Sequence, residues 1–221
     1  MNYIEAMDII GSLSQPSKMP WYSYSTSAFD CQTGSKLREI KGSVCASCYA
    51  CKGQYRFSNV RKAQDKRLAG TKHPDFVEAF VLVLSTLYNR SKKTYVRDGV
   101  TVKENRFRWH DAGDIQSLEH LERINEIALR TPFLTHWLPS KEFGYVNEFL
   151  KKHKRFAPNL TVRMSATMVG QTYDTPPMGL PFSAVGVTQD LSQCPAYTQG
   201  GQCKDCTQCW DPKLNVSYPL H

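Results

Sequence analysis

The sequence predicts an α/β protein whose parallel sheet forms a partial or irregular (β/α) barrel, with an open sheet as the other arrangement, and with cysteine-rich loops at the carboxyl face of the strands. From Arg106 onward, short apolar strands alternate with helical stretches of about 10–15 residues, the pattern of βαβ crossovers. Roughly five such strands are legible, too few for a full eight-fold barrel. Eight cysteines stand in two sets, each made of one remote cysteine and one CxxCxxC run.

The chain opens with an amphipathic stretch (Tyr3, Ile4, Met7, Ile9, Ile10) that runs into the loop composition of Gly11 to Pro16. Met19 to Phe29 alternates aromatic and small polar residues and reads as the first strand, ending just before Cys31. Residues 31 to 51 have little periodicity and form an N-terminal cysteine loop. Arg61, Lys62, Lys66 and Arg67 mark a basic helix, and Pro74 opens a second one with Phe76, Phe80, Val83, Leu84 and Leu87 at helical spacing. Ser91 to Asn105 is polar around Asp98-Gly99 and reads as an exposed hairpin or loop.

Arg106 to His110 is then a strand, Asp111 to Asp114 a turn, and Ile115 to Arg130 a helix with Leu118, Leu121, Ile124, Ile127 and Ala128 on one face. Leu134 to Leu138 is the next strand, and Lys141 to Phe156 the next helix, with Phe143, Val146, Phe149 and Leu150 inward. Leu160 to Met164 and Ser183 to Val187 are further strands. A C-terminal cysteine segment, 194–210, closes a single domain spanning 1–221.

At 41% hydrophobic and 22% charged residues, the chain has the composition of a folded globular protein. Its longest apolar run, Phe76 to Tyr88, is interrupted by Glu78, so no membrane partner is expected, and an acid at Glu5 argues against a secretory leader. In a reducing cytoplasm, eight cysteines point to metal or redox chemistry rather than disulfides. The net charge of +8 admits a nucleic-acid partner, although an anionic cluster on each cysteine set would reduce it. A monomer is expected.

Two residues between successive cysteines let the backbone wrap a centre while a remote cysteine closes the shell. Cys45, Cys48 and Cys51 with Cys31, and Cys203, Cys206 and Cys209 with Cys194, therefore form candidate iron–sulfur ligand sets, holding one or two [4Fe-4S] clusters. The remote cysteines serve either their own triad or the other one. Zinc is the alternative metal, though its usual layout is two separate CxxC knuckles. Strand ends in parallel α/β proteins gather chemistry, which singles out His110, Asp111, Asp114 and Lys141. Arg163, within an apolar strand, needs an anionic partner if buried. His136, His153 and His221 carry no pattern, and Trp109, Trp137 and Trp210 read as packing residues.

Several of these stretches together resemble the phage gene-product-eighty-eight family: Cys45-x-x-Cys48-Tyr49-Ala50-x-Lys52-Gly53, His110-Asp111-x-Gly113-Asp114-Ile115, Trp137-Leu-Pro-Ser-Lys141-Glu142, Val162-Arg163-Met-Ser-Ala166 and Cys209-Trp210. The resemblance runs from about Cys31 to His221 and implies a host-cytosol location. The family's plan is similar to radical S-adenosylmethionine enzymes, which carry a cluster on the loop after the first barrel strand. Those enzymes use CxxxCxxC, whereas Cys45, Cys48 and Cys51 are spaced two and two. The family motif does not fix Cys51; without it seven thiols remain, which suits either one complete cluster plus one with an open iron, or a single cluster with spare cysteines. The expected function is an iron–sulfur protein in electron transfer or redox chemistry, with a redox partner protein. The alternatives are a radical-type enzyme that binds S-adenosylmethionine, and a zinc-stabilised nucleic-acid-binding module.

Overall fold

The computed structural model describes residues 1–220, and His221 lies outside the described residues. Its strands are β1 (Ser23–Tyr24), β2 (Thr94–Arg97), β3 (Val100–Lys103), β4 (Arg106–Trp109), β5 (Thr135–Ser140), β6 (Leu160–Ser165), β7 (Phe182–Val185), β8 (Ser192–Gln193) and β9 (Val216–Tyr218). Its helices are α1 (Tyr3–Ile9), α2 (Gln32–Arg38), α3 (Ser58–Gly70), α4 (Phe76–Arg90), α5 (Leu118–Arg130) and α6 (Phe143–His153). Seven strands pair in the order β1-β4-β5-β6-β7-β9-β8 with every pairing parallel, while β2 and β3 form a separate antiparallel hairpin.

Alternation within each strand gives the sheet two different faces, because successive side chains point to opposite sides. In β4, Phe107 and Trp109 are fully buried in the main core, whereas Arg106 and Arg108 project to the other face. In β5, Leu138 joins that core and Trp137 does not; in β6, Val162 and Met164 join it and Arg163 does not. The core side is completed by Ala6 and Ile10 at α1, Phe76, Phe80, Val83 and Leu84 from α4, Leu121, Ile124 and Ile127 from α5, and Val146 and Phe149 from α6. Sequential parallel strands joined by crossovers of one hand place their helices on one face, so this face is fully covered. The opposite face is covered by residues of the C-terminal cysteine segment: Thr161 Oγ1 donates to the Trp210 carbonyl at 2.8 Å and Trp210 Nε1 to the Phe107 carbonyl at 3.0 Å.

The α/β class and the parallel sheet agree with the sequence. The pairing order leaves β1 and β8 as two edges, which is an open sheet; no pairing closes it into a barrel among the described residues. The first strand is much shorter than Met19 to Phe29, since pairing with β4 covers only Ser23 and Tyr24 before a 3-10 turn begins at Ala28. The helix expected from Ile115 begins at Leu118, because Ser117 accepts the His120 N–H at 3.1 Å and caps it. Helix α2 and strands β8 and β9 have too few residues to leave a period in the sequence. No helix of the described residues is long and apolar enough to cross a membrane.

Candidate metal centre

The N-terminal cysteines follow β1 after a 3-10 turn at Ala28–Asp30, and their loop hydrogen-bonds to Asp111, Glu142 and Thr167, each just past the end of a strand. Cys31 stands at the N-cap position of α2 without a side-chain capping bond, and each CxxC step closes a 3-10 turn: Cys48 N–H donates to the Cys45 carbonyl at 3.1 Å and Cys51 N–H to the Cys48 carbonyl at 3.2 Å. A 3-10 turn brings side chains three apart onto one side, which is why two intervening residues bring sulfurs together. Cys48 itself leaves the helical region (φ −51°, ψ 119°), so the second turn is re-aimed relative to the first.

This loop is bolted to the strand ends by acidic residues. Glu142, at the end of β5, accepts from Thr33 N–H at 2.8 Å and from Thr33 Oγ1 at 2.7 Å, docking α2. Asp111 accepts from Ser23 Oγ at 2.7 Å and from Tyr55 OH at 3.4 Å, and its carbonyl accepts from the Tyr49 hydroxyl. On the far side, Val44 N–H donates to the Thr167 carbonyl at 2.9 Å, beyond the end of β6. Burial pushes the Cys31 thiol up, and Asp114, Cys48, Cys45 and Glu142 push it further. Burial also raises Cys45, while the Lys141 ammonium opposes the rise. Cys51 is raised by burial and by Cys48.

Gly34, inside α2, makes room at this group. No positive φ requires a glycine there, yet a Cβ would lie 2.9 Å from the Cys31 Cβ, 3.5 Å from its Sγ and 3.7 Å from the Cys45 Sγ. Alanine would favour the helix by up to about 1 kcal/mol, so the glycine is explained by the space beside the sulfurs. Gly34→Ala is therefore expected to lower metal content at this group only, read as metal per chain after purification. Full metal content in that variant would remove the role given to Gly34.

The C-terminal cysteines form their own group on the face of the sheet opposite the helices. Cys194 N–H donates to the Ser217 carbonyl at 2.9 Å, Cys203 N–H to the Lys18 carbonyl at 3.2 Å, and Cys206 N–H to the Cys203 carbonyl at 2.9 Å. Cys209 packs with Trp137 and Trp210, and its Sγ lies 3.3 Å from the Tyr218 hydroxyl. Burial pushes the Cys209 thiol up to about 12, against the Tyr218 hydrogen bond and the Arg163 charge. Cys194 and Cys203 are raised chiefly by burial, with Cys206 contributing to both.

The remote cysteines therefore sit with their own triads: Cys31 beside Cys45 and Cys48, Cys194 beside Cys203 and Cys206. All eight thiols are free. Among the described residues, no three His, Cys, Asp or Glu side chains converge closely enough to hold one metal ion as a preformed site.

The other expected site residues divide. Asp114 and Lys141 do reach the N-terminal group. Asp114 does not cap α5; it accepts Ser140 Oγ at 2.7 Å, Lys141 N–H at 2.8 Å and Ile115 N–H at 2.8 Å, tying the turn after β4 to the end of β5. Burial raises its carboxyl to about 6, with those hydrogen bonds opposing the rise and Glu142 adding to it. A raised carboxyl means the folded state binds the proton more tightly than the unfolded chain. Stability from this group is thus present below about pH 4 and lost as pH rises to about 6, a change of about 3 kcal/mol. Asp114→Asn is expected to flatten that slope, measured by denaturant unfolding at pH 5 and pH 7; an unchanged slope would contradict the assignment.

His110 faces the core. It adopts a φ of 52°, it is buried, and neither ring nitrogen has a partner. Burial, then the neighbouring His120 and Arg108, hold it well below its usual value, so it is a neutral imidazole packed edge-on to His120, ring centroids 5.5 Å apart. Arg163 is buried, and among the described residues it has no ion pair with the anionic partner its burial implied. Its guanidinium donates instead to the carbonyls of Phe182 and Leu214, at 3.1 and 2.6 Å, and of Gln208, Cys209 and Asp211, at 3.2, 3.4 and 2.9 Å. The sequence reading missed Arg108, Tyr218, Glu142 and Gly34. Only Arg108 left a signal, a second basic residue on the alternating face of a strand whose other side is aromatic.

The sequence model of a family described as Gene product 88 matches residues 12–212. Neither the curated proteins nor the solved structures contain a match to this chain.

Proposed function

We propose, from a chain that belongs to the Gene product 88 family, an iron–sulfur protein with two separate four-thiol centres in electron transfer or redox chemistry. The observation that carries this reading is the sorting of eight free thiols into two groups of four, each complete with its own remote cysteine. The N-terminal centre would be held by Cys31, Cys45, Cys48 and Cys51, and the C-terminal one by Cys194, Cys203, Cys206 and Cys209.

The donor set fits that group. Four thiolates with no nitrogen or carboxylate ligand are the usual ligation of a [4Fe-4S] cluster. A single tetrahedral zinc ion, with bonds of about 2.3 Å, needs its sulfurs about 3.8 Å apart. A cluster that offers a separate iron to each thiolate spreads its ligands more widely, and the lack of a closed one-ion site among the described residues is compatible with it. When bound, such a cluster supplies a one-electron couple. The protein's part is to exclude water, through Trp137 and Trp210 over Cys209, and to place hydrogen-bond donors and charges such as the Tyr218 hydroxyl and Lys141 beside the sulfurs. The one-way strand order, with helices on one face and cysteine segments at the strand ends and on the other face, supports reading the sheet as a partial barrel wall.

One observation favours a second reading, in which the N-terminal centre acts on a small molecule. A cavity of about 320 Å³ is lined by Asp30 and Gln32, the chain neighbours of Cys31, and by Thr71, Ser117 and His120 among others. A spectral change on adding S-adenosylmethionine to reconstituted protein, with reductive cleavage of that cofactor, would favour it.

Iron, zinc and acid-labile sulfide analysis of protein prepared without oxygen tests the main reading. Iron and sulfide in equal amounts support it. Colourless protein with stoichiometric zinc and no sulfide would replace it with the zinc-stabilised module, whose nucleic-acid partner the net charge of +8 would suit.

A further inference from the structure

The chain's surplus of positive charge is concentrated around the N-terminal cysteines. Residues 29–66 hold eight lysines and arginines against Asp30, Glu39 and Asp65. Among the described residues, only one of those eight, Lys66, lies within ion-pair distance of a carboxylate, 2.6 Å from Asp8. Lys52, Arg56 and Arg61 are exposed. The same stretch exposes aromatic rings, Phe29 by 38%, Tyr49 by 53% and Phe57 by 58%. Exposed rings are ordinary when they stand singly, but these are joined. The guanidinium groups of Arg38 and Arg61 stand over the Phe29 ring, 5.3 and 5.2 Å from its centroid. Arg61 N–H donates to the Phe57 carbonyl at 3.0 Å, so Phe57 lies one turn away. Arg38 also donates to the Ala28 carbonyl at 2.8 Å, and Ala28 belongs to the small cluster on which Tyr55 packs, its ring 5.7 Å from that of Tyr49. The Tyr49 hydroxyl is anchored on the Asp111 carbonyl, which fixes the ring while leaving its body open.

Unpaired cations attract phosphates and gain by releasing the counterions of a nucleic acid. Open rings with guanidinium planes beside them are surfaces on which bases stack. We propose that this rim, from Phe29 through Tyr49 to Phe57 and Arg61, binds single-stranded nucleic acid. Only unpaired bases can lend their faces to protein rings, because in a duplex each face is covered by the next base pair. A duplex reader, moreover, lays a regular helix or a β-ribbon in a groove. Here the rings are carried by short 3-10 turns and the start of α3 instead. An acidic protein would meet the same cations, but its carboxylates would leave the rings unused. The inference does not rest on which metal the cysteines hold. An anionic centre there would offset part of the charge without covering the rings.

The test is fluorescence anisotropy on protein made without oxygen, with labelled oligo(dT), oligo(U), a DNA duplex and poly-glutamate of matched length. The single strands are expected to bind at least about tenfold more tightly than the duplex or poly-glutamate, and the tighter of the two names the strand. Phe57→Ala is expected to weaken that binding about tenfold, whereas Phe57→Trp, which keeps a stacking ring, holds the wild-type affinity. Arg56→Gln with Arg61→Gln is expected to reduce the slope of log affinity against log salt by about 1.4, at about 0.7 for each lost phosphate contact. These side chains are exposed, so each variant should unfold at the wild-type temperature with the wild-type metal content. No single-strand binding at about 50 mM salt, poly-glutamate or duplex bound as tightly as the strand, or an affinity that Phe57→Ala leaves unchanged would overturn the inference. None of these outcomes bears on the two-centre reading, which iron and sulfide decide separately.

Discussion

Arg163→Ala is expected to be the most damaging single substitution at a non-cysteine position in the molecule. The guanidinium ties the carbonyls of Gln208, Cys209, Asp211 and Leu214 to β6 and reaches the Phe182 carbonyl at the start of β7. Hydrogen bonds from a charged donor contribute about 1.5–3 kcal/mol each, and a buried acceptor left without its donor loses about as much again in unrecovered hydration. These terms do not add fully, because the freed segment can lift and hydrate. A loss of about 3–5 kcal/mol is the expected scale, a large share of the roughly 5–15 kcal/mol that holds a domain together. Thermal unfolding should fall by on the order of 10 °C. Because Cys209 lies inside the tethered segment, metal at the C-terminal group should fall with it, while the N-terminal group keeps its metal. Arg163→Lys should recover little, since one ammonium cannot serve five carbonyls arranged around a planar fork. Unfolding at the wild-type temperature would show that these hydrogen bonds are not what holds the segment.

The same arginine shows what was legible in the sequence and what was not. A cation in the apolar run Leu160 to Met164 was recognisable as buried and in need of a partner. Its partners turned out to be backbone carbonyls, which every residue carries and which therefore leave no mark in a sequence. The central βαβ units were readable for the opposite reason. Phe107 and Trp109, Leu138, and Val162 and Met164 alternate with polar or large neighbours because one face of the sheet meets helices and the other does not. Helices α5 and α6 showed a clear apolar stripe, since each packs on one side only. Strands β8 and β9, with two and three residues, are too short to show any period and exist through pairing that only the folded chain supplies.

The cysteine spacing disclosed that there were two sets, but not how they were shared, because the assignment of Cys31 and Cys194 depends on where β1 and β8 deliver them. Both are delivered to the nearer triad. The expectation that all the chemistry lies at the carboxyl edge is also revised. The N-terminal group does lie there, beside Asp114, Lys141 and Glu142, while the C-terminal group lies across the open face under Arg163, Trp137 and Tyr218. His110 does stand just past a strand end, where the fold buries it edge-on to His120 with both ring nitrogens unpartnered among the described residues. Arg108 showed in the sequence only as a second basic residue on the alternating face of β4, and the fold buries its Nε without a partner among the described residues.

If each set of four thiols is a centre in its own right, disabling one must spare the other. The pair Cys45→Ala and Cys48→Ala removes half the N-terminal ligands, and the pair Cys203→Ala and Cys206→Ala does the same for the C-terminal group. These positions lie in loops outside the main core, so the sheet and its helices should survive either change. For wild-type protein made without oxygen, the account expects on the order of eight iron and eight sulfide per chain, as two four-iron clusters require. Each double variant should retain about half of both. The direct measurement is therefore iron and acid-labile sulfide per chain in the wild type and in the two double variants. A halving in both variants is the predicted result. Complete loss of metal from both folded variants, as one centre shared between the two sets would give, or retention of all of it in either, would contradict the account.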